Sequence, residues 1–279
     1  MTPKIQASLE IIRPVNAFLA VVSVVIGSII AGGKGTEPEV LRSAISVFFI
    51  CGGGNILNDY FDFEIDKINR PNRPLPSGRL KKNSALALGI LFFILGLLLS
   101  WWINYGAVGI AVVAVVLLVI YSAVLKRIGL PGNIIVALAA SLPFIYGGVA
   151  IRRIVPVIIP TVFAFIYHFG REIIKDAEDI EGDLMAKART LPIRWGIKKS
   201  VIFVLGIFCL LIILTPIPFF LKIYNWRYFA IVLLGVDLFL VFIFYWLFKD
   251  ISKERLKRVG GLLKIDMFMG ILALYLGRS

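Results

Sequence analysis

Residues Asn55 to Gly78 read NILNDYFDFEIDKINRPNRPLPSG and follow an apolar run from Ala44 to Gly54. Asn55, Asp59, Asp62 and Asp66 fall at offsets 0, 4, 7 and 11, the spacing of one face of an α-helix. Three carboxylates on one face repel one another. They also sit at the C-terminal end of an apolar helix, where the macrodipole disfavours negative charge. Such an arrangement is expected only where something cationic neutralises it. An oxygen-rich set suits Mg²⁺, which is usually held by a few carboxylates together with substrate phosphates.

The pattern occurs twice. Glu172, Asp176, Asp179 and Asp183, in REIIKDAEDIEGD, repeat the offsets 0, 4, 7 and 11 at a constant separation of 117 residues. Arg73-Pro74-Leu75-Pro76 follows the first set and Arg189-Thr190-Leu191-Pro192 the second, now 116 apart. Of the 17 acidic residues in the chain, 10 lie in these two windows, so the acids form an internal pseudo-repeat and are not scattered charge.

The 279 residues are 59% hydrophobic with a mean hydropathy of +0.91, which indicates an all-α polytopic membrane protein forming a single transmembrane domain over 1–279. The net charge of +13 raises the question of nucleic acid. The Lys and Arg residues lie in short loops between apolar spans, however, so no nucleic-acid partner is expected. Phosphate-bearing substrate and anionic membrane lipids fit better. No obligate protein partner is evident. Cys51 and Cys209 both fall inside apolar segments and read as small core hydrophobes, with no disulfide or zinc framework. The first apolar run, about 15–31, is long enough to span and lacks a cleavage site, so it is not read as a removable signal.

Nine spans are expected, near 15–31, 41–61, 84–103, 107–124, 131–150, 154–174, 200–221, 228–248 and 260–277. Alternate connections differ in charge: 23 of the 30 Lys and Arg lie at the N-terminus and around the connections after spans 2, 4, 6 and 8. The positive-inside rule puts that set in the cytoplasm of a multi-pass cell-membrane protein, with the C-terminus outside. Both acidic windows then close helices on the cytoplasmic side. Gly52-Gly53-Gly54 reads as a packing seam that lets span 2 approach another helix. Pro131, Pro143, Pro156 and Pro160 mark helix starts or kinks. Asp237 and Asp266, inside spans 8 and 9, stand open between function and a structural hydrogen bond.

NDYFDFEID with NRPLPSGR, then YSAVLKRIGLPGN, then REIIKDAEDIEGDLMAKARTLP, resembles the UbiA family of intramembrane prenyltransferases over nearly the whole chain. The resemblance implies two pseudo-repeated helical halves around a central cavity, where two Asp-rich motifs bind a prenyl diphosphate through Mg²⁺. The wording IDKINRPNRPLPSGR and REIIKDAEDIEGD is most similar to the branch acting on archaeal ether lipids. That branch moves a geranylgeranyl group from geranylgeranyl diphosphate to the hydroxyl of geranylgeranylglyceryl phosphate.

By the same resemblance, Asn55, Asn58, Asp59, Asp62 and Asp66 belong to the metal–diphosphate site, together with Asp176, Asp179 and Asp183; the six aspartates are the catalytic candidates. Glu172 occupies the place of Asn55 and either binds metal or pairs with Arg171 or Lys175. Basic side chains should complete the phosphate cradle. The candidates are Arg13, Arg73, Arg79, Lys126, Lys175 and Arg189. Loss of diphosphate leaves an allylic cation that aromatic faces stabilise; Tyr60, Phe61, Tyr121, Tyr146 and Tyr167 are the candidate wall, with Tyr121 foremost. His168 reads as a packed residue more than a general base. A lipid-phosphate acceptor demands a second anion site, which the sequence does not locate. Two other readings stay open: an aromatic prenyltransferase of quinone biosynthesis, sharing every metal residue, and a cation transporter. The transporter fits poorly, because its acids belong near the bilayer midplane rather than at helix ends on one side.

Overall fold

The computed structural model describes residues 3–278. Among them no strand occurs, only an isolated bridge between Tyr224 and Arg278. In lipid each backbone N–H and C=O must be satisfied within its own segment, so a chain of this hydropathy folds as helices. The first half comprises α1 (Pro3–Ile12), α2 (Pro14–Ile30), α3 (Pro38–Phe61), the short α4 (Phe63–Asn69), α5 (Lys82–Trp101), α6 (Tyr105–Ala123) and α7 (Leu130–Ala150). The second half comprises α8 (Ile158–Glu178), the short α9 (Ile180–Met185) and α10 (Leu191–Trp195), α11 (Ile197–Leu214), α12 (Ile217–Phe220) and α13 (Trp226–Ile231). It ends with a π-helical turn over Val232–Asp237, α14 (Leu238–Lys249) and α15 (Lys253–Leu276).

Among the described residues, eight stretches are long and apolar enough to cross a membrane, and α1 with α2 supplies a ninth if that bent pair counts as one span. These fall where the nine spans are expected. The α1–α2 bend is 49° and lies at Arg13, whose φ of +54° is one that residues with side chains rarely adopt. Pro14 follows it, at the start of α2, where a proline's missing N–H is harmless.

The expectation of one unbroken acidic helix face needs correction. Each motif helix is interrupted at its third member: Asp62 separates α3 from α4, and Asp179 separates α8 from α9. Their ψ values are 1° and 9°. The break has an electrostatic reason. It places Glu64 and Asp66 in the first turn of α4, and Glu181 and Asp183 in the first turn of α9. A helix N-terminus favours negative charge, whereas continuing the parent helix would have left these acids near its C-terminus.

The Gly52–Gly54 seam packs as expected. A Cβ at Gly52 would stand 2.9 Å from the Phe92 ring, at Gly53 2.8 Å from the Phe93 ring, and at Gly54 2.8 Å from Leu118. A side chain at any of these positions would force the facing residues of α5 or α6 to shift. A second close approach joins α2 and α7, where a Cβ at Gly147 would lie 2.0 Å from the Val24 carbonyl oxygen.

Leu91, Ile94, Leu98, Val112, Val116 and Ile213 face outward and are exposed, as the lipid-facing side of a bundle requires. Trp101, Trp102 and Tyr105 are exposed at the end of the bundle opposite the motifs, the composition of an interfacial aromatic belt. Cys51 is half-buried, while Cys209 is exposed on the apolar outside and not in the core; both are free. Asp237 accepts a hydrogen bond from the Thr215 hydroxyl at 3.0 Å, and Asp266 one from the Tyr167 hydroxyl at 2.9 Å. Both acids therefore have structural partners.

Candidate active site

A cavity of about 480 Å³ opens between the two halves. Its inner wall is apolar, with Leu19, Val47, Ile50, Ile110, Ala114 and Leu118. Its motif end is strongly basic: Arg13, Arg70, Arg73, Arg171, Lys175, Lys257 and Lys264 line it, against only Glu172 and Glu178. An apolar side chamber of about 100 Å³ shares Ser23, Ala140, His168 and Met267 with it. One end thus suits an anionic group and the remainder a hydrocarbon chain.

The first motif lies directly beside the basic end. Asp59, Asp62 and Asp66 are buried at 3–4% exposure, and each is held by cations. Asp59 accepts from Arg13, and from Arg73 Nη1 at 3.2 Å. Asp66 accepts from Arg73 Nη1 at 2.6 Å. Asp62 accepts from Lys126, and from Asn58 Nδ2 at 2.7 Å. Burial alone would raise the Asp62 carboxyl, but the adjacent Lys126 ammonium wins and holds it below the usual carboxylate range. At Asp66 burial outweighs the attraction of Arg73, and its carboxyl is raised.

The second motif is built differently. Asp179 takes Arg70 Nη2 on both carboxylate oxygens at 3.0 Å, and its backbone carbonyl accepts from Asn69 Nδ2 at 3.1 Å. Residues just after motif one therefore hold motif two. Gly182 permits this approach, since a Cβ there would stand 2.4 Å from Asn69 Nδ2. Buried Asp176 accepts from Asn133 Nδ2 at 2.8 Å. Asp183, also buried, has no salt bridge or side-chain hydrogen bond among the described residues, and burial pushes its carboxyl up to about 6. Glu172 accepts from Lys175 at 2.5 Å and pairs with Arg171 at 3.4 Å, so it takes the ion-pair alternative.

None of the six aspartates lines the cavity itself, whereas several other expected residues do. Asn55 lines it and donates from Nδ2 to the Ile12 carbonyl at 2.9 Å, and Asn58 lines it too. Tyr121 is buried in its wall, and Tyr146 lines it with its hydroxyl 2.7 Å from Ser100 and 2.9 Å from Ser46. Tyr167 lines the side chamber, and His168 lines both spaces.

Two basic candidates lie elsewhere. Arg79 makes a forked pair with exposed Glu10 at 2.6 and 3.1 Å, because the turn at Gly78 carries it out to the surface. The Arg189 side chain is exposed, and it is its backbone N–H that is used, donating to the Arg127 carbonyl at 2.7 Å. Tyr60 and Phe61 are outside the cavity lining, Tyr60 lying under the Lys82 ammonium at 4.6 Å. Sequence reading missed Arg70, Asn133, Lys257 and Lys264. Arg70 carries a signal in sequence: Asn69-Arg70-Pro71 and Asn72-Arg73-Pro74 are tandem repeats of one tripeptide, so Arg70 is the counterpart of the phosphate candidate Arg73.

The donors fit a hard divalent cation in type, being carboxylate and amide oxygens throughout. Their arrangement is closed by basic side chains: among the described residues, no three His, Cys, Asp or Glu side chains converge on a point that would hold an ion. The cation that the spacing demands is supplied here by Arg13, Arg73, Lys126 and Arg70.

Comparison with known proteins agrees with this architecture. The chain is 38% identical over 277 residues to the digeranylgeranylglyceryl phosphate synthase of Methanocaldococcus jannaschii, covering 98% of this chain and 96% of that one. A solved structure described as a digeranylgeranylglyceryl phosphate synthase in membranes superposes with a TM-score of 0.77 at 37% identity, over 99% of both chains. A UbiA homologue from Archaeoglobus fulgidus, solved with DMAPP and Mg²⁺, shares the fold at 20% identity with a TM-score of 0.72, over 96% of this chain and 98% of that one. The profile of the UbiA prenyltransferase family matches residues 20–272, and this multi-pass membrane protein belongs to that family.

Proposed function

We propose that the protein transfers a geranylgeranyl group from geranylgeranyl diphosphate to the hydroxyl of geranylgeranylglyceryl phosphate, releasing diphosphate. The observation that carries this reading is the cavity, basic and flanked by two acidic motifs at one end and apolar at the other, which has the polarity of an allylic diphosphate. Full-length relatives named for this activity support the choice of acceptor.

In this reading the C1–O bond of the prenyl diphosphate breaks and diphosphate departs. The acceptor hydroxyl oxygen bonds to C1, and its proton passes to the diphosphate or to a motif carboxylate. Asp59, Asp62, Asp66, Asp176, Asp179 and Asp183 would hold Mg²⁺, with Asn55 beside them, and the ion would neutralise charge on the departing diphosphate. Arg13, Arg70, Arg73, Lys126 and Lys175 bind and orient its oxygens, guanidinium forks suiting phosphate geometry. Tyr121 and Tyr146 present aromatic walls beside the developing allylic cation. The apolar wall and side chamber exclude water, which would otherwise capture that cation.

Both motifs open on the cytoplasmic side in this reading, following the Lys and Arg asymmetry. A C-terminal tag is expected to report outside the cell.

The deciding experiment is a product assay on purified protein in detergent with geranylgeranyl diphosphate and Mg²⁺. It offers either geranylgeranylglyceryl phosphate or 4-hydroxybenzoate as acceptor. Prenylation of the glyceryl phosphate alone is expected. Prenylation of the aromatic acid would overturn the acceptor while keeping the diphosphate site.

A further inference from the structure

Among the described residues, two lysines in the cavity wall, Lys257 and Lys264, form no ion pair. Elsewhere in that wall, Arg13 and Arg73 pair with Asp59, Arg70 with Asp179, and Arg171 and Lys175 with Glu172. Lys257 and Lys264 line the same cavity from α15 and make no salt bridge or side-chain hydrogen bond among the described residues. The charges acting most strongly on Lys264 are Arg171, Arg13, Lys175 and Arg70, all positive. Lys257 is exposed at the cavity mouth and Lys264 is half-buried, with Glu178 the nearest carboxylate of the wall already paired with Arg70, so the lysines are placed to receive an external anion.

The helix between them is shaped to admit one. Lys257, Gly260, Gly261 and Lys264 fall at positions i, i+3, i+4 and i+7, a single face spanning about 10.5 Å, and all four line the cavity. A Cβ at Gly261 would meet nothing within 4 Å, and one at Gly260 only Glu178 Oε2 at 3.6 Å. Glycine is disfavoured in a helix interior, so two in succession facing a cavity leave an open slot between two cations. The beginning of α15 lies beside the second motif, where exposed Lys253 pairs with Glu181 at 2.5 Å. The slot therefore borders the end of the cavity assigned to the diphosphate.

We propose that Lys257 and Lys264 form a second anion subsite, for the phosphate monoester of the lipid acceptor, with its glyceryl part in the Gly260–Gly261 slot. This rests on the proposed acceptor being a lipid phosphate. The subsite accounts for two anions in one cavity. The diphosphate is taken by the cations of the motifs, and the acceptor phosphate by α15, which presents the free hydroxyl toward C1.

The test uses the full chain in detergent, comparing wild type, K257Q/K264Q and K257R/K264R. Direct binding is measured with geranylgeranylglyceryl phosphate, with geranylgeranylglycerol lacking the phosphate, and with phosphatidic acid; steady-state kinetics follow. Wild type should prefer the phosphorylated acceptor over the alcohol by at least about tenfold, the size of one charge-assisted contact. K257Q/K264Q should lose that preference and raise KM for the acceptor about tenfold or more, with KM for geranylgeranyl diphosphate within twofold; K257R/K264R should recover most of it. An unchanged acceptor KM, or an equal rise in KM for the diphosphate, overturns the assignment. Phosphatidic acid binding as tightly as the acceptor would make this a general lipid-headgroup site and also overturn it. If the lysines prove to bind the phosphorylated acceptor but wild type forms no product, the proposed function fails and the subsite stands. Product formation with the preference intact in K257Q/K264Q sinks the subsite alone.

Discussion

Arg70 is the side chain that ties the two motifs together, and replacing it tests the site most directly. In Arg70→Ala, Asp179 loses a cation equidistant from both its oxygens at 3.0 Å, and Glu178 loses a contact at 3.5 Å. Arg70 is 26% exposed and Asp179 19%, which places the pair between two regimes. Fully exposed pairs contribute about 0–1 kcal/mol, whereas breaking a fully buried one costs about 3–5 kcal/mol. A loss of about 2 kcal/mol follows, or roughly a 30-fold change in an equilibrium or rate constant. Asp179 would then lose its tie to the residues after the first motif, and α4 would loosen from α9. We expect kcat/KM for geranylgeranyl diphosphate to fall about 30-fold, with thermal inactivation in detergent at a lower temperature. Arg70→Lys, which keeps the charge but not the planar fork, should lie between. Initial-rate kinetics on purified protein, with monodispersity checked by gel filtration, decide it. An Arg70→Ala protein within threefold of wild type, with unchanged thermal inactivation, would mean that the cross-motif pair neither stabilises nor positions anything.

Asp59→Asn or Asp179→Asn should nearly abolish turnover while leaving the protein extractable, since each removes one charged oxygen donor; wild-type rates in both would refute the metal assignment. Chelation with EDTA should stop the reaction and added Mg²⁺ restore it. The Asp183 carboxyl, raised to about 6 from 3.8, binds more protons folded than unfolded between about pH 4 and 6. Metal-free stability from this group is therefore present at low pH and lost as pH rises through that window, by about 3 kcal/mol at most. Because an ion needs the carboxylate, the Mg²⁺ concentration for half-maximal rate should climb as pH falls from 7 to 5.5; a flat requirement would exclude Asp183 as a ligand. Gly53→Ala should destabilise by about 1–3 kcal/mol through overpacking against Phe93, whereas Gly109→Ala, facing open space, should be neutral or stabilising. Equal inactivation half-lives for the two would dissolve the seam argument.

Much of the fold was legible because a bilayer imposes few solutions. Apolar run length located the spans, and three successive glycines announced a close helix approach. The paired windows located one end of one cavity, since a 117-residue repeat leaves few other meanings. Less legible was anything decided by the direction of a side chain. Arg79 and Arg73 read alike in sequence, yet a turn at Gly78 sends one to Glu10 on the surface and the other to Asp59 and Asp66. The helix breaks at Asp62 and Asp179 were missed because periodicity alone extends through them: the backbone of each still donates to a carbonyl four residues back, at 2.9 Å. Lys257 and Lys264 were read as loop charge, since nothing in a single sequence distinguishes a lysine on a cavity face from one at a headgroup.

The most instructive difference concerns what neutralises the acids. Spacing alone said that a cation was required and suggested Mg²⁺; the folded chain supplies guanidinium and ammonium groups at the same carboxylates. On the proposed reading these two answers belong to one exchange. A metal–diphosphate complex brings cations for Asp59, Asp62 and Asp66 and anions for Arg13, Arg73 and Lys126, so each internal pair can trade partners without leaving a buried charge unmatched. Removing one partner from a buried pair is strongly unfavourable, whereas exchanging both together avoids that penalty. The internal pairs thus explain how four of the six aspartates, Asp59, Asp62, Asp66 and Asp179, stay neutralised between turnovers. They also define what substrate must bring: metal and diphosphate together, because either alone would strand charges of one sign in the wall of the cavity.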